Sequence, residues 1–184
     1  MQNHGSYGYV GKNYTQTVEL VGYEGEHPQA EQYLSLIHES DKAVEYLLTA
    51  LEDHPEDTIV LFFGDHFPDV EDALYAQIHG KEPQTLDEQM LRYKVPFFIW
   101  SNFEMEEKTV ELTSINYLSR YLLECAGFQL PAYYQLLAQT EKTVPALNAY
   151  SYYSAEAGCF KPLSEASPAE RQILQEYQIL QYNN

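Results

Sequence analysis

The segment that most constrains this chain is Thr58-Ile59-Val60-Leu61-Phe62-Phe63, followed at once by Gly64-Asp65-His66-Phe67-Pro68. Six β-prone residues without polar alternation predict a strand buried on both faces of a mostly parallel sheet. Gly64 then lets the backbone turn. Asp65 and His66 follow at the carboxyl end of the strand, where open α/β sheets place their sites. A carboxylate and an imidazole side by side on a tight turn can reach one cation, through oxygen and nitrogen respectively, a donor mixture that suits zinc or manganese. The pair also fits a plainer role, with Asp65 capping the following turn and His66 a polar loop residue. Two ligands alone do not make a site.

Helical periodicity surrounds this segment. From Ala30 to Glu52, Tyr33, Leu34, Ile37, Val44, Leu47, Leu48 and Leu51 recur at spacings of three and four, which predicts a long amphipathic helix stopped by Asp53-His54-Pro55. Shorter helices are expected over 70–78, ending near Gly80, and over 85–92, where Thr85 and Glu88 form a capping box. Lys94 to Ser101 reads as a second apolar strand, with Pro96 near its start and Trp100 packed in the core. A helix capped by Thr113 or Ser114 carries Ile115, Leu118, Leu122 and Cys125 on one face and ends at Gly127. Pro131 opens another that runs to about Gln139. Residues 148–160 read as loop, and Ser167-Pro168-Ala169-Glu170 starts a terminal helix with Ile173, Leu174, Tyr177 and Leu180 facing inward. Residues 8–25 read as an irregular loop with one brief strand at Thr17–Val21.

Composition narrows the function. A chain of 184 residues with 45% hydrophobic content and 17 Tyr fits one folded domain with a real core. Ten basic against 28 acidic residues give a formal charge of -18, which argues against a nucleic-acid surface and against an electrostatic hold on anionic lipid. An anionic substrate would need a local positive centre, and a bound metal would supply one. The acidic excess otherwise reads as solvated surface. Cys125 and Cys159 lack CxxC spacing, and Cys125 is expected as a buried free thiol. No run approaches the about 20 apolar residues of a membrane span, and no basic-then-apolar signal opens the chain, so the chain as given is expected to be soluble.

The order of motifs resembles a known family. His4-Gly5-Ser6-Tyr7, a long helix with Asp41 in its middle, the strand ending Gly64-Asp65-His66, Val95-Pro96-Phe97-Phe98-Ile99-Trp100, a helix ending near Cys125-Ala126-Gly127-Phe128 and a terminal Leu180-Gln181-Tyr182 together look like the carboxyl-terminal half of a sulfatase-type domain. The lipoteichoic acid synthase group of phosphoglycerol transferases, within the alkaline phosphatase superfamily, is the nearest branch. The Gly-Asp-His turn and the His4 segment are the specific parts of this likeness. The helices are generic.

The resemblance implies an α/β fold, the carboxyl-terminal portion of an alkaline phosphatase-like mixed or parallel sheet flanked by helices, over residues 1–184. It implies an enzyme on the extracytoplasmic face of a bacterial membrane that moves a phosphoglycerol group from a phosphatidylglycerol-like lipid, or a related enzyme that cleaves phosphate or sulfate esters. It implies Asp65 and His66 as ligands of a divalent metal, manganese first and zinc or magnesium as alternatives, and His4 beside the substrate phosphate. In that group an acidic ligand and a threonine nucleophile come from the amino-terminal half of the domain. No Thr of this chain stands in a matching context. The expectation is therefore half of a metal site, inert alone, or a non-catalytic binding or scaffolding module, with self-association through the surface that a missing half would uncover.

Overall fold

The computed structural model describes Gly5, Tyr7 and residues 15–182, so His4 lies outside the described residues. The elements are α1 (Pro28–Glu52), β1 (Ile59–Phe63), α2 (Asp72–His79), α3 (Leu86–Leu91), β2 (Phe97–Ser101), α4 (Ile115–Cys125), α5 (Ala132–Thr143), β3 (Ser151–Ser154), β4 (Cys159–Pro162), a 3-10 turn at Leu163–Glu165 and α6 (Pro168–Tyr182). The architecture is mixed α/β. Two compact units form, and the division falls inside the Asp-His turn: the described residues up to Thr58 with His66–Pro96 make the first, and Ile59–Asp65 with Phe97 onward make the second.

The first unit is built on α1. Pro28 occupies the first turn, where a missing N–H costs nothing. The next amides of that turn are met by a distant carboxylate, because Glu71 accepts from the backbone N–H of Gln29 at 2.8 Å and of Ala30 at 3.1 Å. A negative charge at that end also suits the helix dipole. The predicted strand at Thr17–Val21 does not form. Its amides go instead to α1 side chains: Thr17 and Val18 both donate to Ser35 Oγ at 3.0 Å, and Leu20 donates to Glu31 Oε1 at 2.8 Å. The buried residues of α1 are accordingly Ala30, Glu31, Gln32, Ser35 and Leu36, whereas Ile37 and Leu47 of the predicted apolar stripe stand exposed. The capping box at α3 is present, with Thr85 and Glu88 exchanging bonds of 3.0 and 3.2 Å. Gly80 ends α2 at φ 71°, a left-handed value that glycine adopts without strain.

In the second unit β1 pairs with β2 antiparallel, from Ile59 opposite Ser101 to Phe63 opposite Phe97. The apolar run predicted a strand buried on both faces of a mostly parallel sheet. Among the described residues β2 is the ladder partner of β1, and with no further strand beside them Phe62, Phe63 and Phe98 remain 40%, 40% and 37% exposed. Phe62 and Phe98 stack at 5.2 Å between centroids.

The cores of this unit lie among α4, α5, α6 and the β3–β4 hairpin. Tyr117, Leu137 and Tyr177 form one buried cluster, and Val144, Tyr152 and Ala166 form another. The buried face of α4 is therefore not the predicted one: Ile115 is 47% exposed, while Tyr117, Leu118 and Arg120 are buried. The polar ends of those residues explain the rotation. Tyr117 donates to the Val144 carbonyl at 2.8 Å, and Arg120 pairs with Glu124 at 2.7 Å and with Glu141. Tyr121 and Thr113 donate to the other Glu141 oxygen, each at 2.7 Å. Burial, then the bond to Glu141, pushes the Tyr121 hydroxyl up to about 12. Cys125 and Cys159 are free and half-buried, so Cys125 is less enclosed than expected.

The predicted loop at 148–160 contains a hairpin, with Ser151 opposite Pro162 and Ser154 opposite Cys159. Its turn closes through Gly158 at φ 66°. At α6 the Ser167–Glu170 capping box forms, and the Glu170 carboxylate also accepts from Tyr152 at 2.9 Å and pairs with Lys161 at 3.2 Å. Burial pushes that carboxyl up, but the hydroxyls of Ser154, Ser167 and Tyr152 and the Ser167 amide outweigh it and hold the group below its ordinary 4.5. A folded value below the unfolded one gives stability that is present above the ordinary carboxylate range and is lost as pH falls through it. Thermal melts of the wild type should therefore drop in midpoint as pH falls from about 5 downward. Glu170→Gln should be less stable at neutral pH by about 1–3 kcal/mol and should lose part of that pH dependence.

Candidate metal centre

The β1–β2 ladder ends at the Phe63–Phe97 rung, and Gly64 releases the chain into bends at Asp65 and His66. Both side chains are exposed. His66 Nδ1 lies 2.8 Å from the Phe67 carbonyl oxygen. A carbonyl can only accept, so Nδ1 carries a proton, and in the neutral ring the lone pair then sits on Nε2. Ligating histidines are oriented in this way by backbone carbonyls, which fix the tautomer and raise the basicity of the other nitrogen.

The chain leaving the turn is fastened within the first unit. The Arg92 guanidinium lies between two rings, 4.7 Å from the centroid of Phe67 and 4.6 Å from that of Tyr75. Tyr93 meets Phe67 edge-on at 5.0 Å. Tyr75 donates its hydroxyl to the Pro68 carbonyl at 3.0 Å, and Arg92 Nη1 reaches Asp72 Oδ1 at 2.8 Å. Burial pushes the Tyr75 hydroxyl up, while the Arg92 charge pulls the other way. Asp65 is not the cap of α2: that helix opens at Asp72 with Glu71 at its N-cap.

His4 falls outside the described residues, so the structure places Asp65 and His66 on one turn and leaves His4 without a position. Tyr7, close to His4 in sequence, packs edge-on against Tyr33 of α1 at 5.3 Å. Among the described residues no three His, Cys, Asp or Glu side chains gather as a metal site. The donor set at the turn, one carboxylate and one Nε2, fits part of a divalent-ion shell. The sequence reading passed over Arg92, Tyr75 and Glu71. A basic side chain in so acidic a chain was the available signal for Arg92, whereas the bonds made by Tyr75 and Glu71 depend on tertiary placement.

Comparison with known proteins decides the family. The family model for Sulfatase matches residues 1–128. This chain belongs to the sulfatase family. A candidate cyclic beta-1,2-glucan modification protein of Rhizobium meliloti (strain 1021) is 25% identical over 161 residues, which cover 82% of this chain and 24% of the relative. Among solved structures, the Streptococcus pyogenes phosphoglycerol transferase GacH in complex with sn-glycerol-1-phosphate matches over 99% of this chain and 41% of its own, with a TM-score of 0.64 and 23% identity. The fold of this sulfatase-family chain is thus shared with that of the solved phosphoglycerol transferase, and the chain spans less than half the length of either relative. No helix among the described residues is long and apolar enough to cross a membrane.

The tautomer is directly measurable. Long-range proton–nitrogen correlation on the nitrogen-15-labelled chain should show His66 with a protonated Nδ1 and an unprotonated Nε2 above its titration range. The reverse assignment would mean that the Phe67 carbonyl does not hold the ring.

Proposed function

We propose that this chain is the metal-binding half of a phosphoglycerol transferase, or of a related enzyme cleaving phosphate or sulfate esters, with Asp65 and His66 as two ligands of its divalent ion. The observation that carries this reading is the 2.8 Å bond from His66 Nδ1 to the Phe67 carbonyl, on a turn just past a strand of a sulfatase-family fold. That bond leaves Nε2 as the ligating nitrogen beside an exposed carboxylate. Manganese is the ion proposed first, on the family resemblance, and the oxygen-plus-nitrogen pair admits zinc and magnesium as alternatives. A divalent ion held there supplies positive charge that a chain of net charge -18 otherwise lacks toward an anionic ester.

The substrate class proposed is a phosphate ester carrying a glycerol headgroup, in keeping with the sn-glycerol-1-phosphate in the GacH structure. A phosphatidylglycerol-like donor would put the work at the extracytoplasmic face of a membrane. His4 is proposed beside the substrate phosphate. Two protein ligands do not complete a shell, so an acidic ligand and a threonine nucleophile are taken to come from outside these residues, and the chain alone is proposed to be inert. Residues 1–184 then form one part of a sulfatase-like domain, and the exposed rings of Phe62, Phe63 and Phe98 favour association with a second copy or with the rest of that domain. A non-catalytic binding or scaffolding module is the second reading, favoured by the fact that no Thr of these residues stands in a context that matches the nucleophile.

Calorimetric titration separates the two. Manganese and zinc should bind the wild-type chain with a Kd in the micromolar range, and binding should vanish in Asp65→Ala and in His66→Ala. Binding indifferent to both substitutions would overturn the metal assignment and favour the module, and none at all would mean that the turn needs the ligands from outside these residues or holds no metal.

A further inference from the structure

The approach of Arg92 to the exit of the turn has a consequence for the candidate ligand itself. His66 is oriented by the Phe67 carbonyl, so whatever fixes the peptide of Phe67 also fixes the imidazole. Three contacts do so, all within the first unit. The Phe67 ring lies under the Arg92 guanidinium, the Tyr75 ring lies under the same guanidinium, and the Tyr75 hydroxyl holds the carbonyl of Pro68. Arg92 also pairs with Asp72, but that carboxylate is 84% exposed, and an exposed pair contributes little to position. The flat guanidinium between two rings is the part that no ammonium reproduces.

In the same unit, α1 carries a contact to Tyr7, which lies close to His4 in sequence. Tyr7 packs edge-on against Tyr33, and an added Cβ on Gly5 would meet the Tyr7 ring at 3.5 Å. The Tyr33 hydroxyl acts electrostatically on Tyr75. Phe67 and Tyr7 therefore both rest on side chains of one unit.

We infer that Arg92, clamped between Phe67 and Tyr75, is a positioning residue that holds the His66 imidazole in its Nε2-ligating tautomer and orientation. It touches neither metal nor substrate in this role; it acts through Phe67. The inference rests on the metal-binding reading for its functional meaning, but its structural content can be read without metal.

The test uses the full chain labelled with nitrogen-15, in wild-type form and as Arg92→Lys, Tyr75→Phe and Asp72→Asn. Circular dichroism first establishes that each variant is folded. Arg92→Lys keeps a charge for Asp72 and loses the stacked plane; Tyr75→Phe keeps the ring and loses the bond to Pro68. Both should move the His66 nitrogen resonances toward a mixture of tautomers and weaken manganese affinity about tenfold, the scale seen when the groups that orient metal ligands are removed. Asp72→Asn should leave both readings unchanged. Wild-type His66 resonances in both Arg92→Lys and Tyr75→Phe would overturn the inference, as would an equal loss in Asp72→Asn. If the wild type binds no metal while Arg92→Lys still scrambles the tautomer, the metal reading fails and the positioning role stands.

Discussion

A strand that ends in a glycine must hand the chain from a ladder to a turn without leaving its polar groups unmatched, and here the His66–Phe67 hydrogen bond makes that transfer. It occupies one imidazole nitrogen, Nδ1, on the residue that follows Asp65 in sequence. The bond is local, so on its own it would be as loose as the loop that holds it. The packing of Arg92 on Phe67, and the Tyr75 hydroxyl on Pro68, tie that loop to α2 and α3. The chemistry proposed for the turn depends on this chain of support, since a ligand displaced by about 1 Å loses much of its value.

Carboxylates carry more of the architecture than a count of charges implies. Glu31 and Glu71 take backbone amides in the first unit, Glu141 gathers Arg120, Tyr121 and Thr113, and Glu170 gathers Tyr152, Lys161 and the start of α6. Most of the remaining acidic residues stand at the solvated surface that the composition suggests, while Glu31 and Glu71 act inside the first unit and Glu141 and Glu170 inside the second.

Local signals were legible in the sequence and long-range ones were not. The helices α1 and α6, the strands β1 and β2, both capping boxes and the left-handed glycines Gly80 and Gly127 follow from periodicity and cap chemistry. The hairpin at 151–162 escaped because Ser151-Tyr152-Tyr153-Ser154 and Cys159-Phe160-Lys161-Pro162 carry no apolar alternation. The faces of α1 and α4 were misjudged because Ser35, Glu31 and Arg120 are buried through bonds to residues far off in sequence. The brief strand at 17–21 failed for the same reason. At the turn, Asp65 and His66 stood out as a donor pair after an apolar strand, and the family resemblance gave them a role. Nothing in the sequence pattern pointed to Tyr75 or Glu71, and His4 has no described position.

The central claim is that His66 ligates a divalent ion through Nε2. Pulsed electron paramagnetic resonance on the manganese-loaded chain, with histidine labelled by nitrogen-15, reads that bond directly. The account predicts a directly coupled imidazole nitrogen that disappears in His66→Ala. A manganese signal with no histidine coupling, or one whose coupling survives His66→Ala, would contradict it.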